Sequence, residues 1–350
     1  MIALLFAGAV AFGMAILLTP WAVRFLRRHD IGQFIQEEVA GHFHKQGTPT
    51  MGGIVMIVAA LIGYLITHIR IWSATEGFFA PTLQPLHPAG LLALGALAGM
   101  GSIGLLDDYF KVRRRHNRGL NKRAKFAGQV VVAGLFAWGA VTAGASTNLS
   151  FTRPLTIDLG PLYVVWVLLL LVATANAVNI TDGLDGLASG SAALVFGAFM
   201  IIAFWQFRHP EFYGGGFALE LSIMATALLG AVLGFLWWNG TPAQVFMGDV
   251  GSQALGGAIA ALALLSNTHL LLLVIGGLYV AETASVILQV ASFRLFGRRI
   301  FRMAPLHYHF ELLGWPETTV VVRFWILAAI AAALGLGIFY GDFIAGGGVE

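Results

Sequence analysis

Pro161-Leu-Tyr-Val-Val-Trp-Val-Leu-Leu-Leu-Leu-Val-Ala-Thr-Ala-Asn176-Ala-Val-Asn179-Ile-Thr-Asp182-Gly-Leu-Asp185-Gly186 contains, in 26 residues, the two properties that decide how this chain folds. Its first 15 residues carry no charge and suit hydrocarbon. Its last 11 place two carboxamides and two carboxylates in a glycine-containing turn, so a lipid-buried helix delivers polar groups at its end. Runs of the same kind recur near 2–24, 52–69, 88–106, 126–145, 187–206, 219–237, 250–266, 270–293 and 321–344, which with 160–177 makes about ten spans. A bilayer offers no water to backbone groups, and uninterrupted rather than alternating apolar runs select helices over a barrel. The expected fold is therefore an all-α polytopic membrane protein, read as a single domain over 1–350.

Composition agrees. The chain has 350 residues, of which 58% are hydrophobic and 11% charged, and its mean hydropathy is +0.82. Cysteine is absent, which excludes disulfides and thiolate metal sites. Ile2 to Phe25 lacks a basic leader and a cleavage site, and is read as a retained span. Lysine and arginine are distributed unevenly: 24–51 holds four, 107–125 eight and 294–323 five, whereas the opposite loops hold only Arg70, Arg153 and Arg208. Positive residues stay on the cytoplasmic side, so these three segments are expected there and both termini outside. The net charge of +3 gives nucleic-acid binding no support. The basic 111–125 loop suits contact with lipid headgroups.

Five aspartates then fall at the cytoplasmic ends of separate spans. Asp107 and Asp108 close the third span; an interfacial pair balanced by Lys111 and Arg113 would look the same, yet adjacent carboxylates leaving water call for a cation nearby. Asp182 and Asp185, three apart, would point the same way on a helical turn, and with Asn176 and Asn179 offer hard oxygen ligands and amide donors, although a generic turn would use Asn, Asp and Gly for geometry alone. In Val245-Phe246-Met-Gly-Asp249-Val-Gly-Ser252, glycines flank an aspartate at a helix start, where it could also serve as an N-cap. Capping alone does not place all five on one face. His42-Phe-His44-Lys45-Gln-Gly-Thr-Pro-Thr50-Met-Gly-Gly supplies a lysine, hydroxyls and unhindered amides for phosphate, without the order of a P-loop. In Met303-Ala-Pro-Leu-His307-Tyr308-His309-Phe-Glu311, the two histidines could bind zinc, but a zinc site needs a third ligand, and phosphate or hydroxyl contact suits imidazole equally. Glu282 lies inside the ninth span with no assigned task. An ion-coupled carrier is the reading from another class, and Glu282 alone speaks for it.

These motifs, in this order between about 40 and 325, resemble the polyprenyl-phosphate N-acetylhexosamine-1-phosphate transferases, and within them the phospho-N-acetylmuramoyl-pentapeptide-transferase branch. The matching stretches are Lys45-Gln-Gly-Thr-Pro-Thr-Met-Gly-Gly, Asp107-Asp108-Tyr, Asn176 to Ala188, Phe246-Met-Gly-Asp249 and Met303-Ala-Pro-Leu-His307. Tyr308 stands where that branch usually has the middle of three histidines. The resemblance implies ten spans with outward termini in the bacterial inner membrane and an active site on the cytoplasmic face. It also implies Mg2+-dependent transfer of phospho-N-acetylmuramoyl-pentapeptide from UDP-N-acetylmuramoyl-pentapeptide to undecaprenyl phosphate, with release of UMP. Implied roles follow: Asp249 as main magnesium ligand helped by Asp182 and Asp185, with Asn179 orienting the same oxygens. Asp107, beside Asp108, would deprotonate or position the lipid phosphate, or an aspartate would act as covalent nucleophile. Lys45 and Thr50 would hold phosphate or nucleotide, Lys125 and Phe246 the nucleotide, and His307 and His309 sugar-side or phosphate groups. A homodimer is implied by the resemblance alone.

Overall fold

The computed structural model describes residues 1–32, 45–73, 77–114, 119–214 and 216–348. Helices α1 (Ile2–Arg28) and α2 (Gly53–Ile66) are followed by a hairpin of β1 (Ile69–Ser73) and β2 (Gly77–Leu83). Then come α3 (Pro88–Arg114), α4 (Lys122–Thr142) and a second antiparallel hairpin, β3 (Asn148–Ser150) with β4 (Pro154–Asp158). Next are α5 (Leu162–Thr181), α6 (Leu187–Arg208), the one-turn α7 (Pro210–Tyr213) and α8 (Ala218–Asn239). The chain closes with α9 (Gly248–Leu265), α10 (Leu272–Ile275), α11 (Gly277–Phe296), α12 (Leu306–Leu312) and α13 (Glu317–Ala345).

Among the described residues, nine helices are long and apolar enough to cross a membrane: α1, α3, α4, α5, α6, α8, α9, α11 and α13. The expected second span is shorter than its apolar run. It stops at Ile66 after 14 residues, a rise of about 21 Å, and Ile69 begins a strand. It still carries the chain from one end of the bundle to the other, because Gly53 N–H at its start bonds Met247 O before α9, whereas Tyr64 near its far end bonds Glu220 at the start of α8. The expected 270–293 span is broken at Gly276 into α10 and α11. The two hairpins are the only sheet among the described residues, a small addition to an otherwise helical fold.

α9 is the axis of the bundle, buried along nearly its whole length, whereas α11 is buried at only a few positions. Its sequence explains the position. Gly251, Gly256 and Gly257 leave no side chain to hold neighbours away: a Cβ on Gly256 would meet the backbone of Thr174 and Ala175 in α5, and one on Gly257 would meet Met100 in α3. α3 returns the arrangement with Gly104, whose Cβ would collide with Asp249 backbone atoms. Small residues let membrane helices approach backbone to backbone, where dispersion and hydrogen bonds replace the hydrophobic drive that lipid cannot supply. The rim is the reverse, with Leu135 and Trp138 of α4 and Ile330 and Leu334 of α13 exposed as a lipid-facing surface would be. The close approach of α3 to α9 brings their polar ends together.

Candidate active site

The last turns of α3 carry Asp107 and Asp108, both buried. Lys111, one turn on, reaches back 2.7 Å to Asp107 Oδ2 and 3.5 Å to Asp108 Oδ1, and spans to Asp249 Oδ1 at 3.0 Å. From the opposite side Lys125 lies 2.5 Å from Asp249 Oδ2. It sits in the first turn of α4, which Asn121 caps by accepting the Ala124 N–H at 2.7 Å. Asn179, near the end of α5, donates to Asp249 Oδ1 at 3.1 Å and to Ser252 Oγ at 2.8 Å. Two backbone amides complete the set: Leu120 N–H donates to Asp107 Oδ1 at 2.9 Å, and Val250 N–H, in the first turn of α9, donates to Asp108 Oδ2 at 3.1 Å. The turn into α9 requires glycine, since Gly248 has φ +70° and any Cβ there would run into Asp108 and Thr50.

One ligand oxygen from each of Asp107, Asp108 and Asp249 lies within 4.8 Å of the others. Two lysines face three carboxylates, so negative charge is in excess. Clustered carboxylate oxygens at the mouth of a helix bundle are the donor set a hard divalent cation takes, and these three residues could hold one. Asp182, the residue that follows α5, is near enough to this group to feel its charge. Burial, together with the negative charges of Asp249, Asp108 and Asp185, pushes its pKa well above the usual carboxylate range. Asp185 belongs to a second group: Lys45 Nζ is 2.7 Å from its Oδ1, and its Oδ2 accepts the Ala243 N–H at 2.9 Å. Lys45 also meets Glu317 Oε1 at 2.5 Å, and that oxygen accepts the Asp185 N–H at 3.0 Å. Thr50 is buried beside Gly248. Phe246 is tied to the 49–52 loop through its backbone, donating to Pro49 O at 2.8 Å and accepting from Gly52 at 2.9 Å.

The histidine loop closes over the 182–185 turn. His307 and Glu282 are both fully buried, with Nδ1 3.2 Å from Oε1. Glu282 Oε2 accepts the Leu306 N–H at 2.8 Å, so the carboxylate inside α11 fixes the loop that carries His307. His307 Nε2 abuts Gly183, where any Cβ would clash, and Tyr308 Oη donates to Gly183 O at 3.3 Å. His309 turns elsewhere: its Nδ1 accepts the Arg302 N–H at 3.1 Å. The two imidazoles thus have separate partners, and neither is in the only cluster of potential metal ligands among the described residues.

Residues 90–267 match the model of glycosyl transferase family 4. A phospho-N-acetylmuramoyl-pentapeptide-transferase of Frankia casuarinae is 48% identical, covering 98% of this chain and 99% of its own length. That of Mycobacterium leprae is 46% identical over 98% of each chain, and that of Clavibacter sepedonicus is 45% identical over 98% of this chain and all of the relative. The chain belongs to the phospho-N-acetylmuramoyl-pentapeptide-transferase family. It is a membrane-embedded phosphoglycosyl transferase, and the reading as an ion-coupled carrier falls away.

Against this family background, the structure brings together Asp107, Asp108, Asp249, Asn179 and Lys125, with Asp182 and Thr50 alongside. It places Lys45 and Asp185 with Glu317, and His307 and Tyr308 against Gly183. His42, His44, Arg115 and Arg118 lie outside the described residues. Lys111 pairs with Asp107 as its position four residues on suggests, and its further reach to Asp249 has no local signal. Glu317 had no local signal, because it meets Asp185 from 132 residues away.

Proposed function

We propose that this enzyme transfers phospho-N-acetylmuramoyl-pentapeptide from UDP-N-acetylmuramoyl-pentapeptide to undecaprenyl phosphate, forming lipid I for peptidoglycan and releasing UMP. A phosphate oxygen of the lipid attacks the sugar-bearing phosphorus of the nucleotide. One P–O bond forms, the bond bridging the two nucleotide phosphates breaks, and UMP leaves with the electron pair. The observation that carries this reading is the junction of Asp107 and Asp108 of α3 with Asp249 of α9, bridged by Lys111 and Lys125, in a chain of this family. Both substrates are anionic, so the site must offset charge and align the reacting groups.

Asp249, with Asp107 and Asp108 in reach and Asp182 adjoining, would hold magnesium. Bound there, the metal supplies Lewis-acid neutralisation of the diphosphate. Lys111 and Lys125 exchange carboxylate contacts for phosphate oxygens as substrate enters. Asn179 keeps Asp249 oriented through its amide. Asp107, held by the Leu120 amide on Oδ1 and paired with Lys111 through Oδ2, would deprotonate or position the lipid phosphate. Lys45, Asp185 and Glu317 form the wall on the nucleotide side, with Thr50 and Phe246. His307, backed by Glu282, sits against the Asp182 to Asp185 turn and fixes its shape for the sugar-side phosphate, with His309 at the outer edge of the same loop. The excess of lysine and arginine on the site end supports a cytoplasmic-facing site in the bacterial inner membrane, with both termini on the other side.

The test is to incubate purified protein with magnesium, undecaprenyl phosphate and UDP-N-acetylmuramoyl-pentapeptide and to measure UMP. Magnesium-dependent release is expected. Absence of UMP where a relative is active would remove the reading, and equal turnover of UDP-N-acetylglucosamine would reassign the donor.

A further inference from the structure

Directly beneath the site, three carboxamides bond one another in the bundle interior. Gln129 of α4 donates through Nε2 to Gln253 Oε1 of α9 at 2.7 Å and to Asn176 Oδ1 of α5 at 3.3 Å. Asn176 Nδ2 returns a bond to Gln129 Oε1 at 3.2 Å and also donates to Val172 O at 2.8 Å. Gln253 Nε2 approaches Asn176 Oδ1 at 3.5 Å. Gln129 and Gln253 are 1% and 0% exposed. Each carboxamide lies one helical turn from a residue of the site: Gln129 follows Lys125 by four, Gln253 follows Asp249 by four, and Asn176 precedes Asn179 by three. The same three helices therefore meet in two tiers. The upper tier joins Lys125, Asn179 and Asp249 through bonds of 2.5 and 3.1 Å, and the lower joins the three carboxamides.

Apolar side chains would fill this space without the cost of taking polar groups out of water. They would not fix register. The facing surfaces are smooth, with Gly256 of α9 packed on the α5 backbone at Ala175, and dispersion alone resists sliding of such surfaces weakly. Hydrogen bonds are directional, and a shift of one helix along another breaks them. We propose that Gln129, Asn176 and Gln253 are positioning residues: a buried carboxamide tier that sets the axial register of α4, α5 and α9, so that Lys125, Asn179 and Asp249 converge on the transferred phosphoryl group. The tier touches no substrate and acts through the helices. The inference rests on the proposed transferase reaction for its kinetic arm only.

Gln129→Met keeps volume and removes the bonds. The comparison variant is Gln206→Met, which removes a buried glutamine that donates to Ser266 O at 2.8 Å at the other end of the bundle. Expected for Gln129→Met is a kcat lowered about tenfold with nucleotide KM within about twofold, since small displacements of reacting groups cost this much or more. Gln206→Met should lower thermal stability and leave kcat unchanged. Because the chain has no cysteine, spin labels at Arg123→Cys and Gln244→Cys report the spacing of the α4 and α9 starts by pulsed electron resonance. That distance distribution should broaden or shift in Gln129→Met and stay as in wild type in Gln206→Met. If Gln129→Met does not fold, Gln129→Met combined with Gln253→Met leaves Asn176 its bond to Val172 and takes its place. Unchanged kcat together with an unchanged distance distribution overturns the inference. Should wild type release no UMP, the proposed reaction fails, and the distance measurement still decides whether the carboxamides set register.

Discussion

The two ends of the bundle handle charge in opposite ways. At the site end, six carboxyl groups (Asp107, Asp108, Asp182, Asp185, Asp249 and Glu317) gather around three lysines (Lys45, Lys111 and Lys125), and each lysine is shared between acidic residues from different elements, Lys125 lying 4.0 Å from Asp107 as well as against Asp249. At the far end, charges close on themselves. Arg153 in the β3–β4 turn grips Asp342 near the end of α13 at 2.9 and 3.1 Å and lies 4.5 Å over the Phe212 ring, while Thr152 donates to the same carboxylate at 2.8 Å. Glu220 likewise takes Tyr64 at 2.7 Å with His68 3.4 Å away, all within the α2–α8 contact. A balanced pair holds two elements together and asks for nothing more. An unbalanced cluster, with carboxylates held apart by lysines, is poised to exchange partners when phosphate and a metal arrive. Substitutions at the site end should therefore change turnover far more than stability, and substitutions at the far end the reverse.

The largest effect is expected at Asp249, where Lys111, Lys125 and Asn179 all converge. Asp249→Asn keeps the size of the side chain and removes its charge; kcat should fall about 10³-fold, the scale seen when a preorganised electrostatic contact is lost. Its thermal unfolding in detergent should stay close to wild type, and magnesium titration followed by thermal shift should lose its response. Retention of more than a tenth of wild-type turnover would mean that the metal is held elsewhere. Lys125→Met comes next, at about 10²-fold in kcat, since Lys111 remains to share the load. Added salt should not restore it, because the lysine is only partly exposed and acts at contact distance.

Glu282 sharpens the contrast, because it is a fully buried carboxyl group at the site end whose side-chain neighbour is the equally buried His307. Glu282→Gln preserves an acceptor for the Leu306 N–H and removes the charge facing His307. Turnover should drop about tenfold with little change in unfolding, the usual cost of losing an orienting partner. Glu282→Leu should additionally destabilise by about 1–3 kcal/mol, because Leu306 N–H is then buried without an acceptor. If the two variants lose stability equally while both retain full kcat, His307 needs no support from α11.

Much of this arrangement was legible before the structure. Run length and composition are local properties, so the apolar spans and the aspartates at their ends could be read from Asp107, Asp182 and Asp249 in place. The exceptions are places where local signals compete: α2 yields to a hairpin at Ile69, and α11 starts late because Gly276 interrupts an apolar run. Partnerships were harder. Asp185 read as a companion of Asp182 for the metal, yet its oxygens are taken by Lys45 and the Ala243 amide. Glu317 and the Gln129–Gln253 bond join positions far apart in sequence, and what brings such positions together is helix packing, α13 onto α6 where Trp325 covers Gly190 and α4 onto α3 where Val132 covers Gly99, which no spacing rule reveals. The zinc alternative for His307 and His309 is open in the sequence for the same reason, and in the structure the two rings have separate partners, Glu282 and the Arg302 amide.

The smallest effect on turnover belongs to the far end. Arg153 and Asp342 are 41% and 30% exposed, so their attraction is screened and the pair should contribute at most about 1 kcal/mol. Arg153→Met removes the guanidinium but leaves Thr152 on Asp342, whereas Asp342→Asn leaves Arg153 over Phe212. A double-mutant cycle of the two, followed by thermal unfolding and by UMP release in the same samples, should show a small coupling in stability and none in kcat. Arg153 and Asp342 join the end of the β3–β4 turn to the last turn of α13, and their bonds reach no residue of the site. A coupling in kcat larger than the coupling in stability would mean that the far end is felt at Asp249, and the two ends could not then be treated as separate electrostatic regimes.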